Sequence, residues 1–163
     1  MDAALIDKIL ATVELAKKQY YQLVLLVGSS GSGKTRALQA IGQRSGASSI
    51  NLSLELSQRM LELSEGQCTA QLPELLDDII SRQDGDLLLL DNIELLFQPS
   101  LKHDPLYRLQ QLSRNKTLLA AWSGEIRGAQ AQGSPRHLYY ASAAHPEYRR
   151  YKVQDFLALS LPA

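Results

Sequence analysis

Residues 28–35 read GSSGSGKT, which satisfies the spacing G-x-x-x-x-G-K-[ST] through Gly28, Gly33, Lys34 and Thr35. The flanks agree with the motif. Residues Gln22–Val27 form an apolar run of strand length that stops at Gly28, and a helix-forming stretch runs from Lys34 to about Arg44. A strand, a glycine-rich turn and a helix in that order predict a loop that cradles phosphate. Gly28, Gly31 and Gly33 allow backbone conformations and approaches that a side chain would block, and Ser29, Ser30 and Ser32 fill the turn between them. The loop amides and the helix N-terminus, continuing to Arg36, then turn positive dipole toward phosphate oxygens. Lys34 supplies a point charge for the β and γ phosphates, and the Thr35 hydroxyl is a Mg²⁺ ligand. The expected ligand is ATP with Mg²⁺.

The rest of the chain predicts the sheet around that loop. Residues 2–20 space Leu5, Ile9, Val13 and Ala16 as an amphipathic helix. Ser48–Leu54 reads as a strand that soon takes on helical spacing, and Ser64–Leu72 as a loop. Pro73 is placed as a first helical residue, with the helix reaching about Arg82. Asp86–Asp91, Thr117–Trp122 and Leu138–Ala141 are further apolar strands, and Asp104-Pro105 starts a helix. Gly124, Gly128, Gly133 and Pro135 leave little room for regular structure between the last two strands. Strands apolar on both faces and alternating with helices indicate an α/β fold. The expectation is a P-loop NTPase three-layer sandwich with a mostly parallel sheet, formed as one domain over 1–163. Ligands in such sheets sit at the carboxyl ends of the strands, where Gly28, Asp91 and Ser123 would lie.

In LLLLDNIELLF, residues 87–97, four leucines deliver Asp91 to a strand end, where a carboxylate can hold Mg²⁺. The alternative is that Asp91 caps the following helix. Many ATPases carry a glutamate just after such an aspartate to polarise the attacking water; here that position is Asn92, whose amide can only orient water. Glu94 is the nearest other carboxylate and the expected base, unless it faces solvent. Ser123, ending the next strand, is placed to meet the γ-phosphate or its water, or else is a turn hydroxyl. Arg136, just before the following strand, is the expected arginine finger acting on a neighbouring subunit, with Arg127 as fallback.

The segments YYQLVLLVGSSGSGKT (20–35), LLLLDNIELLF (87–97), AAWSGE (120–125) and HPEYRRY (145–151) together resemble the BrxF family, small P-loop proteins of type 3 BREX phage-defence systems. The resemblance implies a cytoplasmic NTPase-like component that works beside a methyltransferase, a larger ATPase and other BREX proteins. The chain is also similar to the AAA+ core, without the usual C-terminal helical lid.

Composition narrows the alternatives. No run approaches the roughly 18 apolar residues of a membrane span, and the charged N-terminus is unlike a signal peptide, so a cytoplasmic protein with no membrane contact is expected. One cysteine, Cys68, excludes an intrachain disulfide. Net charge is zero, yet residues 1–100 hold 8 Lys/Arg against 13 Asp/Glu, and 101–163 hold 9 against 4. Folding can cancel that split. Otherwise the basic C-terminal part meets DNA or the acidic part of a neighbour, giving a head-to-tail homo-oligomer. The function expected is a slow Mg-dependent ATPase that switches assembly; a nucleotide-binding scaffold and a small-molecule kinase are the other readings.

Overall fold

Strands that bury both faces need a layer of helices on each side, and the computed structural model has that arrangement; it describes residues 2–128 and 136–162. The strands are β1 (Leu23–Gly28), β2 (Ser48–Asn51), β3 (Leu87–Asp91), β4 (Thr117–Arg127), β5 (His137–Tyr140), β6 (Arg149–Lys152) and β7 (Leu157–Ser160). Five of them run parallel in the order β2-β3-β4-β1-β7. Strands β5 and β6 extend the upper part of β4 as an antiparallel ribbon.

Alternation along the parallel strands divides the core in two. Val24, Leu26, Leu89, Leu119 and Ala121 pack with α1 (Ala3–Ala16) and α2 (Lys34–Ser45). Leu25, Val27, Leu88, Leu90, Leu118 and Trp122 pack with α3 (Leu52–Met60), α4 (Glu65–Ser81) and α5 (Pro105–Leu112). A slip of one residue in any of these strands would exchange the two sets, so register is tightly specified.

Several expectations change. Residues 65–72 are helix rather than loop, because Ser64 and Gln67 form a capping box: the Ser64 hydroxyl accepts from the Gln67 amide at 3.2 Å, and the Gln67 side chain accepts from the Ser64 amide at 2.9 Å. Pro73 therefore lies inside α4, a position that costs about 3 kcal/mol in a free helix. Burial of Leu72, Leu76, Ile79 and Ile80 offsets that cost. Strand β2 ends at Asn51, not Leu54, because the Asn51 side chain caps α3 through the Leu54 amide.

Strand β4 continues five residues past Trp122, so 124–127 are regular; the rest of the expected irregular stretch, 129–135, lies outside the described residues. The strand expected at 138–141 is β5, paired antiparallel to β4 rather than placed in the parallel sheet. The apolar tail supplies β7, which pairs with β1 from Val24↔Leu157 onward. Among the described residues no helix follows α5, and no helix is long and apolar enough to cross a membrane.

Candidate functional site

Strand order assembles the site. Because β4 lies between β1 and β3, with Gly28 opposite Ser123 and Leu90 opposite Ala120, the carboxyl ends of three strands deliver Gly28, Ser123 and Asp91 to one rim. A cavity of about 650 Å³ opens there. It is lined by Ser30, Gly31, Ser32, Gly33, Lys34, Thr35 and Arg36 from the loop and α2, by Asp91, Asn92 and Glu94, and by Ser123. Gln39 and Ala121 also line it and carry no sequence signal. Gly28 and Ser29 stand behind this wall and contribute their carbonyls.

The loop conformation requires its glycines. Gly31 (φ 78°) and Gly33 (φ 98°) are left-handed, and a Cβ on Gly28 would lie 2.3 Å from Ser32 Oγ. The Ser32 hydroxyl is buried with no partner among the described residues. Helix α2 starts at Lys34 with no side-chain cap, which leaves its first amides free for an anion. Lys34 is 9% exposed and donates from Nζ to the carbonyls of Gly28 (3.0 Å) and Ser29 (2.7 Å). Burial holds its pKa below the ordinary lysine value, while the carboxylates of Glu94 and Asp91 pull it back up.

Thr35 Oγ1 and Asp91 Oδ1 meet at 3.3 Å, although they are 56 residues apart in the chain. Two hard oxygens at this loop are a donor set that would suit Mg²⁺, an ion that keeps most of its shell for water and phosphate and needs only one or two protein ligands. No group of three or more His, Cys, Asp or Glu side chains able to hold a metal occurs among the described residues.

Past β3 the chain turns sharply. Asn92 has φ 49°, a left-handed conformation that asparagine tolerates, and its amide donates to Asp91 Oδ1 at 2.9 Å. Its carbonyl accepts from the amide (2.9 Å) and the hydroxyl (2.6 Å) of Ser53, and that hydroxyl accepts from the Leu95 amide. Phe97 stacks on Tyr140 and meets Trp122 edge-on, which ties the short 3₁₀ turn Glu94–Phe97 to the ribbon. The result is that Glu94 faces the site: its Oε1 accepts from Ser123 Oγ at 2.7 Å, and its Oε2 is buried without a partner among the described residues.

Arg136 does not line this cavity. It precedes β5 at the outer end of the ribbon, where its carbonyl accepts from the Val153 amide at 2.9 Å and its Nε is buried without a partner among the described residues. Arg127 is ion-paired with Glu125 and stands over the Tyr139 ring.

Comparison with known proteins adds little to this geometry. No family model and no curated protein matches the sequence. Among solved structures the chain is similar to one titled "Structure of C. elegans PCH-2", at 19% identity and a TM-score of 0.45, over 79% of this chain. The match spans 39% of that chain, well under half its length.

Proposed function

We propose that this chain binds ATP at the 28–35 loop and hydrolyses it slowly, as a nucleotide-dependent assembly switch. The observation that carries the reading is the convergence of Lys34, Thr35, Asp91, Glu94 and Ser123, drawn from three separate segments, on one cavity. Lys34 would exchange the Gly28 and Ser29 carbonyls for β and γ phosphate oxygens, and the amides at the start of α2 would hold the same phosphates. Mg²⁺, held by Thr35 and Asp91, would neutralise charge that develops on the transferred phosphoryl group.

Glu94 is the base. Its unpartnered Oε2 takes a proton from a water as the new oxygen–phosphorus bond forms and the β–γ bridging bond breaks, with ADP leaving. Ser123 orients that carboxylate by donating to Oε1. Lys34 must change partners before chemistry, and Asn92 stands where a stronger water-activating group is common. Both favour turnover at or below about 1 s⁻¹, the low end of enzyme rates. The same two features support a second reading, a scaffold that binds ATP with negligible turnover.

An arginine from a neighbouring subunit would complete such a site, and Arg136, which is not part of its own cavity, is the residue we assign to that role; its Nε is buried within its own chain, so the side chain would have to swing out to reach a neighbour. Such contacts are head-to-tail and build rings or open helices. The four quoted motifs further support a cytoplasmic role beside other BREX proteins. Light scattering with Mg²⁺ and a slowly hydrolysed ATP analogue tests the switch: the oligomeric state should rise, and Arg136→Ala should lower turnover more than nucleotide affinity. A monomer at tens of micromolar, with Arg136→Ala turning over normally, would exclude it.

A further inference from the structure

The ribbon formed by the end of β4 with β5 and β6 carries an outer face that the nucleotide site does not use. Its register sets Arg127, His137 and Lys152 side by side in one row, and Glu125, Tyr139 and Arg150 in the next. The alternate residues, including Leu138 and Tyr140, turn into the core. On the outer face Arg127, Arg150 and Lys152 are exposed, and the acid among them, Glu125, is ion-paired with Arg127. Tyr139 lies half-buried between the cations, with the Arg127 guanidinium 4.6 Å and the Arg150 guanidinium 5.9 Å from its ring centroid. The Tyr148 ring is 6.2 Å away, tilted by 33°. Tyr139 and Tyr148 wall a cavity of about 680 Å³ that reaches Ser30, Glu94 and Ser123.

A solvent-facing ribbon needs polar residues to stay exposed, but it does not need two aromatic rings recessed among cations beside an open cavity. Rings that accept a planar group, flanked by charges that accept phosphates, are the chemistry of single-stranded nucleic acid, whose bases have free faces. A duplex hides those faces in its stack, and an acidic peptide would use the cations and leave the rings idle. We propose that this outer face binds single-stranded nucleic acid, with a base lodged against Tyr139 and backbone phosphates on Arg150 and Lys152.

The test is fluorescence anisotropy of a fluorescein-labelled 20-nucleotide oligothymidylate with the full chain, run in excess ADP and Mg²⁺ and repeated on Lys34→Ala, so that binding through the phosphate loop is separated from binding on the ribbon. Binding should be measurable at low salt. Tyr139→Ala should weaken it about tenfold, the loss expected of one stacked base, while Tyr139→Phe, which keeps the ring, should restore it. Arg150→Gln with Lys152→Gln should reduce the slope of log affinity against log salt by about 1.4, two phosphate contacts at 0.7 each. Absence of binding at 50 mM salt overturns the proposal, as does a duplex or polyglutamate that binds equally well. So does an unchanged affinity or salt slope in the folded variants.

Discussion

Replacing Glu94 by glutamine isolates the proposed chemistry from binding and folding. Glutamine preserves the side chain's volume, and its carbonyl oxygen can still accept from Ser123, the bond that spans 2.7 Å in the native site. What it loses is the ability to take a proton at the atom that has no other partner. A positioned general base contributes about 10²–10⁴-fold, or about 2.7–5.4 kcal/mol of barrier. From a parent rate near 1 s⁻¹ the variant should therefore fall to between about 10⁻² and 10⁻⁴ s⁻¹. Single-turnover release of labelled phosphate reads that range over minutes to hours, and a fluorescent nucleotide reads affinity separately, which should stay within about twofold. Ser123→Ala should lie between the parent and Glu94→Gln, because it frees the carboxylate without removing it. A folded Glu94→Gln that turns over at the parent rate would refute the assignment of the base and with it the functional reading of the Ser123 contact.

Other consequences follow from single contacts. Gly124→Ala places a Cβ 1.8 Å from the Tyr139 carbonyl oxygen, a backbone atom that cannot swing away, so β4 and β5 must part. It should cost about 3 kcal/mol and lower Tm by about 6–12 °C, and an unchanged melting curve would contradict the close approach. His103 has its pKa held below the usual histidine value by burial, with Arg108 and Arg149 adding to the effect and the Leu96 carbonyl opposing it. Its contribution to stability is complete above the unfolded pKa near 6.5 and is lost as pH falls toward the folded pKa. His103→Gln should flatten denaturant midpoints over that acid range by up to about 1.4 kcal/mol per pH unit, and identical profiles would count against it. Lys34 must be charged to hold phosphate, and burial lowers its pKa from the ordinary 10.5. ATP affinity should thus begin to fall below that pH, and affinity that holds level up to pH 10.5 would contradict the desolvated lysine.

The elements that sequence revealed are those whose physics is local. Apolar runs long enough to bury both faces marked β1, β3 and the first half of β4, and glycine spacing marked the loop. What stayed hidden depends on neighbours. The reach of β4 to Arg127 and the ribbon beyond it depend on Gly124 allowing the Tyr139 carbonyl to approach, which no pattern in the strand announces. Strand β7 is short, and its burial comes from pairing with β1. The start of α4 was readable in retrospect, since Ser64 and Gln67 have capping-box spacing, but Gly66 and Pro73 obscured it. In the site, Asp91 and Thr35 were foreseeable from motif spacing. The pairing of Glu94 with Ser123 required knowing that β4 lies beside β3, and the support from Ser53 required knowing that α3 starts against the Asn92 turn.

The central claim is that residues 28–35 hold the phosphates of ATP, and titration calorimetry on the parent and Lys34→Ala in the presence of Mg²⁺ tests it most directly. Lys34 brings one charge to the cavity from a side chain that is 9% exposed, so its contact is charge-assisted and poorly screened. Removing it should cost about 1.5–3 kcal/mol, a ten- to hundredfold loss of affinity, in a protein whose melting temperature is unchanged or raised by relief of the buried charge. Equal ATP affinity in the folded variant and the parent would contradict the account at its root.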